Sequence, residues 1–174
     1  AYGLRHGCLY GLHLQNKKRT KTCLHRGPRV FKGGNRMVNT SVELCGTVIT
    51  NPVIPASGTF GFGYEFTRFY DINILGSISL KGTTKEPRFG NPTPRIAECP
   101  QGLLNAVGLQ NPGAEKVLNH ELRALKSVYK KPVMANVSGF SVGDYVAAVE
   151  MLDADDGIGW FEINISCPNV HGGG

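Results

Sequence analysis

Short apolar runs that alternate with helical stretches from Val42 onward predict an α/β fold, a parallel sheet covered by helices. Strands buried on both faces read as continuous apolar runs, and helices make the crossovers between them. Two further observations choose among such folds. Polar or small residues recur at the carboxyl end of each strand, the rim where parallel α/β folds gather their ligands. No Walker sequence is present, and Gly58-Thr-Phe-Gly-Phe-Gly63 crowds its glycines at the wrong spacing for a dinucleotide fingerprint. A TIM-type (β/α)8 barrel is therefore preferred to a doubly wound sheet. Such a barrel takes eight strands and about 250 residues; the four strands that this sequence predicts would make the chain about the first four β/α units.

The elements follow in order. Val42-Glu-Leu and Thr47-Val-Ile read as a leading hairpin that turns at Cys45-Gly46. Asn51 to Gly58 is a short buried strand ending in small residues, and Gly63 to Tyr70 a brief helix. Ile72 to Leu80 is the second strand, running into Lys81-Gly82-Thr-Thr84. A long irregular segment spans about Gly82 to Asn111, with prolines at 87, 92, 94 and 100; a loop of that length in a compact domain is usually functional. Pro112 opens a helix to about Tyr129, with Glu115 early and Lys126 late, as the helix dipole favours. Pro132 to Ser138 is the third strand. Ser141 caps a helix through about Leu152, and Phe161 to Ser166 is the fourth strand.

Charge divides the chain. Residues 1–36 hold nine of the 19 Lys and Arg residues and no acid. The rest has 10 basic against 13 acidic residues, a net −3, so the overall +6 belongs to the leader. That removes most of the argument for a nucleic-acid binder, although a basic arm is a competing use of the leader. The leader lacks the apolar stretch of a secretory signal and the serines of a transit peptide. The preferred reading takes Met37 as the natural start, residues 1–36 as a disordered or adventitious leader, and 37–174 as the barrel segment. Five cysteines without a Cys-x-x-Cys pair, and five histidines, give no zinc spacing; no metal site is expected. Free thiols fit a reducing, cytoplasmic setting. No window reaches the about 18 apolar residues that a membrane span needs.

The rim carries the chemistry. Ala56-Ser57-Gly58, Lys81-Gly82, Asn136-Val-Ser138 and Asn164-Ile-Ser-Cys167 end the four strands. Each alone is readable as turn chemistry, or for Lys81 as a side chain snorkelling to solvent; four at one rim describe one site. Glu162, Asn164 and Ser166 alternate onto one face, inward in a closed barrel, where an asparagine needs partners. Cys167 is either a small buried hydrophobe or, among loop residues such as Pro168-Asn169 and Gly172–Gly174, a thiol acting as general acid/base or nucleophile. His171 stands near it without triad spacing.

Taken together, Asn51-Pro-Val-Ile-Pro-Ala-Ser-Gly-Thr-Phe-Gly61, Lys81-Gly-Thr-Thr, Gly90-Asn-Pro-Thr-Pro-Arg95, Asn105-Ala-Val-Gly-Leu-Gln-Asn-Pro-Gly113 and Asn164-Ile-Ser-Cys-Pro-Asn169 resemble dihydroorotate dehydrogenase, in order, across residues 37–174. The resemblance implies an FMN-bearing barrel that oxidises dihydroorotate to orotate in pyrimidine biosynthesis. It implies Cys167 as the base at C5 while hydride leaves C6 for the flavin. Ser57, Lys81, Gly82, Asn136 and Asn164 would bind FMN; Lys81, Asn105, Ala106, Val107, Gly108, Leu109 and Asn164 would hold the substrate. A cysteine base resembles the soluble class, and the Lys-Gly-Thr-Thr run its NAD-linked branch, which implies a partner subunit carrying FAD and an iron–sulfur cluster, and a homodimer. Two alternatives stand beside this reading: a truncated, inactive fragment of the same family, and a related dihydropyrimidine-oxidising flavin barrel.

Overall fold

The computed structural model of the chain describes residues 38–167. The expectations for the basic leader, for Pro168-Asn169 and for His171 lie outside the described residues.

The leading hairpin forms where its turn chemistry places it. Strands β1 (Val42–Leu44) and β2 (Thr47–Ile49) pair antiparallel, Val42 opposite Ile49 and Leu44 opposite Thr47. Cys45 and Gly46 both take left-handed backbone, φ 47° and 78°, the primed turn that matches strand twist.

The next two expected strands differ from the structure. Asn51 to Gly58 joins no ladder, because Pro52 and Pro55 have no N–H to give a neighbour. Its ties are single bonds, Gly76 N–H to the Val53 carbonyl (3.0 Å) and Asn51 Nδ2 to the Ile74 carbonyl (2.9 Å). Ile72 to Leu80 divides in two. The Asp71 carboxylate accepts from Asn73 N–H at 2.9 Å and folds Ile72–Ile74 into a 3₁₀ turn. Only beyond Gly76 does the chain extend.

That extended stretch lies parallel to β5 (Val133–Val137). Met134 N–H donates to Ile78, Leu80 N–H to Met134, Thr83 N–H to Asn136 and Ser138 N–H to Thr83, all at 2.8–2.9 Å. On the far side of β5, β6 (Ile158–Ile163) pairs parallel, Asn136 opposite Glu162. It starts and ends earlier than the expected Phe161 to Ser166. The described residues thus hold three neighbouring parallel segments rather than four strands. The regular ladders among the described residues make three two-stranded sheets, two antiparallel hairpins and the parallel pair β5 and β6, with no closed barrel.

The long segment after Gly82 is also more ordered than its prolines suggest. It contains an antiparallel hairpin, β3 (Ile96–Cys99) with β4 (Gly102–Asn105), Ile96 opposite Asn105. The helix expected from Pro112 begins two residues later, after Gly113, as α1 (Ala114–Lys116). It widens into a π-turn at Val117–Glu121 and continues as α2 (Leu122–Val128). Helix α3 (Val142–Leu152) starts at the expected cap, Ser141 Oγ accepting from Asp144 N–H at 3.2 Å.

Alternation along the parallel segments sorts their side chains. Ile78, Leu80, Val133, Ala135 and Val137 face the helices and pack with Val117, Leu122, Leu125, Ala148 and Leu152 in one buried cluster. Each buried Val, Leu or Ile among them contributes about 1.5–3 kcal/mol by leaving water. Ser79, Asn136 and Glu162 share the opposite face and bond to one another. Below them on that face, Trp160 Nε1 donates to the Leu44 carbonyl at 3.2 Å, so the leading hairpin closes the end away from the rim.

Two phenols at the core's edge hold their protons tightly. Tyr64 donates to the Glu121 carboxylate at 2.7 Å, which with burial pushes its pKa up to about 12. Burial alone pushes Tyr129 up to about 12. A phenol in the unfolded chain ionises near 10, so between about pH 10 and 12 the folded chain binds more protons and stability falls as pH rises. Thermal unfolding followed from pH 8 to 12 should show a flat midpoint to about pH 10 and a decline above it. Tyr64→Phe should reduce the slope of that decline; an unchanged slope would contradict the assignment.

Candidate functional site

The parallel register brings the segment ends to one height, and they enclose a cleft of about 320 Å³. Ser57 and Gly58, Lys81 and Gly82, Asn136, and Asn164 to Cys167 all line it. So do Asn105, Val107, Gly108 and Leu109 from the long loop. Every residue that the resemblance assigns to cofactor, substrate or catalysis therefore lines the cleft except Ala106. That residue is taken up by the loop's own bonding: its N–H donates to Arg95 and its carbonyl accepts from Asn91 Nδ2, at 2.8 and 2.9 Å.

Backbone contacts hold the rim segments together. Lys81 N–H donates to the Gly61 carbonyl at 2.9 Å, which draws the turn after Ser57-Gly58 against the second segment. Asn164 N–H donates to the Val137 carbonyl at 2.9 Å, and Tyr145 of α3 donates its hydroxyl to the Asn164 carbonyl at 2.6 Å. Asn164 is thus fixed at both backbone groups, three residues before Cys167, itself half-buried. A Cβ at Gly82 would lie 2.8 Å from Asn136 Oδ1, so a side chain there would have to displace the Asn136 amide. Beside it Ser138 Oγ is buried with no partner.

The loop from Gly82 to Asn111 positions its cleft residues by closing on itself. Arg95 donates to the carbonyls of Phe89 and Asn91 (2.7 and 3.2 Å) and to Gln110 Oε1 (2.7 Å). Arg88 exchanges both backbone bonds with Asn111 and lays its guanidinium over the Phe140 ring, 4.5 Å from the centroid. Asn111, 6% exposed, ties the loop's two ends. Its Oδ1 accepts from the N–H groups of Thr84 and Gly113, and its Nδ2 donates to Thr84 Oγ1 and the Leu109 carbonyl. Leu109 itself has φ 58°, a cost that the bonds on either side sustain.

Sequence reasoning passed over two side chains that matter here. Glu162, noted only for the face it shares with Asn164, lines the cleft and accepts at a single oxygen from Ser79 Oγ and Asn136 Nδ2, each at 2.7 Å. The alternation Glu162, Asn164, Ser166 was the available signal. Asn111 carried no signal beyond its place before Pro112. Among the described residues, no group of His, Cys, Asp and Glu is placed to hold a metal ion, and no helix is long and apolar enough to cross a membrane.

Comparison with known proteins agrees with this geometry. Residues 39–174 match the family described as dihydroorotate dehydrogenase. The chain is 54% identical over 138 residues to the catalytic subunits of dihydroorotate dehydrogenase B (NAD(+)) of Bacillus cytotoxicus and Geobacillus kaustophilus, covering 79% of this chain and 44% of each relative. It therefore spans less than half the length of these relatives. A solved structure, dihydroorotate dehydrogenase of Eimeria tenella in complex with ferulenol, superimposes with a TM-score of 0.57 at 21% identity, over 75% of this chain and 38% of that one. At that identity the likeness concerns the fold alone, that of the parallel segments and helices described above.

Replacing Asn111 with alanine should orphan two buried N–H groups and a carbonyl at once. The expected loss is about 3 kcal/mol, read by urea unfolding; a loss below about 1 kcal/mol would show that the loop's closure does not depend on this side chain.

Proposed function

The chain belongs to the dihydroorotate dehydrogenase family, and from that premise we propose that its cleft oxidises (S)-dihydroorotate to orotate in pyrimidine biosynthesis. The cleft would sit at the rim of an FMN-bearing (β/α)8 barrel to which this chain contributes about the first four units. The observation that carries the reading is the convergence of Ser57, Lys81-Gly82, Asn136 and Asn164–Cys167 on one cleft.

The residues present fit a flat ring with N–H and C=O edges. Gly82 leaves open the space that a Cβ would fill, Asn136 Oδ1 borders that space, and the unpartnered Ser138 Oγ lies beside it. Ser57, Lys81, Gly82, Asn136 and Asn164 would hold FMN. When bound, FMN supplies the acceptor for the hydride that leaves C6 of the substrate. Cys167 takes the C5 proton at Sγ as the C5–C6 double bond forms, the role of a positioned general base. Lys81, the cation among the lining residues, balances the substrate's carboxylate. Asn105, Val107, Gly108 and Leu109 present amide and backbone groups to the substrate's amide edges, with Ala106 keeping the loop in shape and Asn164 touching substrate and cofactor.

The relatives' name as catalytic subunits of an NAD(+)-linked enzyme supports NAD as the final acceptor and a partner subunit beside this one. We propose further that the partner bears FAD and an iron–sulfur cluster, that the catalytic subunit is a homodimer, and that the assembly is cytoplasmic. The cleft's lysine favours the carboxylated substrate over an uncharged dihydropyrimidine.

The test joins residues 39–174 to the remaining part of the Geobacillus kaustophilus catalytic subunit and follows flavin absorbance without oxygen. Dihydroorotate should bleach the flavin, dihydrouracil should not, and Cys167→Ala should slow bleaching by about 100-fold or more. Equal rates for Cys167→Ala and its parent would overturn the assignment of the base, and preferential bleaching by dihydrouracil would move the chain to the related dihydropyrimidine-oxidising barrels.

A further inference from the structure

We propose that Glu162 is a positioning residue that sets the direction of a chain of side-chain amides running across the cleft to the segment that carries Cys167. As a carboxylate Glu162 accepts hydrogen bonds and donates none. Asn136, 3% exposed and opposite it on β5, must therefore turn its Nδ2 toward Glu162, at 2.7 Å. Ser79 Oγ donates to the same carboxylate oxygen at 2.7 Å from the other side of β5, which holds the carboxylate in place.

The direction is passed on. With its nitrogen committed, Asn136 presents Oδ1 to the cleft, beside Gly82, and to Asn164, whose Nδ2 donates to it at 3.4 Å. Asn164 Oδ1 then accepts from the N–H of Ser166, the residue before Cys167, at 3.3 Å. One acceptor-only group at the start thus fixes which face of two amides the cleft offers. At Asn136 it offers an acceptor, suited to a ring N–H and unsuited to a carbonyl. Chains of such bonds reinforce one another in a partly buried setting.

This inference rests on the FMN reading for its ligand, and its test separates the two. In the 174-residue chain, the Asn136 side-chain amide should show slow hydrogen exchange and a proton shifted by its carboxylate partner in nitrogen-resolved NMR spectra. Glu162→Leu should abolish both features. Glu162→Gln, which keeps an acceptor without the charge, should keep the protection and lose the shift, and it carries this arm if the leucine variant does not fold. An Asn136 amide unmoved by either substitution overturns the proposal. For FMN binding by fluorescence quenching, Glu162→Leu and Asn136→Ala should each weaken affinity about tenfold. The double variant should be no weaker than Asn136→Ala, whereas additive losses would mean that Glu162 does not act through Asn136. The FMN arm uses residues 39–174 joined to the rest of the Geobacillus kaustophilus catalytic subunit; if that parent binds no FMN, the cofactor reading fails, and the NMR result still decides the positioning role.

Discussion

The cleft depends on the parallel register that β5 imposes on its two neighbours. On one side Thr83 N–H donates to Asn136 and Ser138 N–H, just past β5, donates back to Thr83; on the other Asn164 N–H donates to Val137. Those contacts place Lys81-Gly82, Asn136 and Asn164–Cys167 at one level, although they are separated by dozens of residues in the chain. A shift of one residue would exchange the faces of a strand, sending Asn136 into the helix-packed side and Val137 into the cleft. The apolar cluster behind the sheet prevents that slip, because Val133, Ala135 and Val137 have no other place to be buried. Core packing and site geometry are in this sense one constraint.

A second layer of order comes from polar bonding within the loop. The segment from Gly82 to Asn111 has little apolar burial of its own, and several of its large side chains (Phe89, Ile96, Leu103 and Leu104) are exposed. Its shape comes instead from Arg95, Asn91 and Asn111, which satisfy the carbonyls and N–H groups that a loop would otherwise leave to water. This is how an irregular stretch can still hold Asn105 to Leu109 at fixed places beside the cleft.

Much of this was legible in the sequence where local chemistry decides the outcome. The Cys45-Gly46 turn, the Ser141 cap and the third strand all stand where their residues place them, and the small and polar strand ends do converge. Legibility failed where pairing partners decide. Asn51 to Gly58 looks like a strand by its apolar content, but its two prolines remove the donors a ladder needs. The hairpin from Ile96 to Asn105 is hidden among prolines that suggest only irregularity. The part played by Glu162 depends on two side chains, Ser79 and Asn136, that are remote in sequence and meet only after the sheet has formed. The family resemblance, by contrast, rested on runs of adjacent residues, and it was visible without any fold.

The central claim is that these strand ends form the flavin and substrate site of a dihydroorotate dehydrogenase. The most direct measurement is a crystal structure of residues 39–174, joined to the rest of a Geobacillus kaustophilus catalytic subunit, with FMN and orotate. The account predicts the flavin ring against Gly82 and Asn136 and orotate between Lys81, the Asn105–Leu109 loop and Cys167. Ligands bound elsewhere, with Cys167 turned away from orotate, would contradict it.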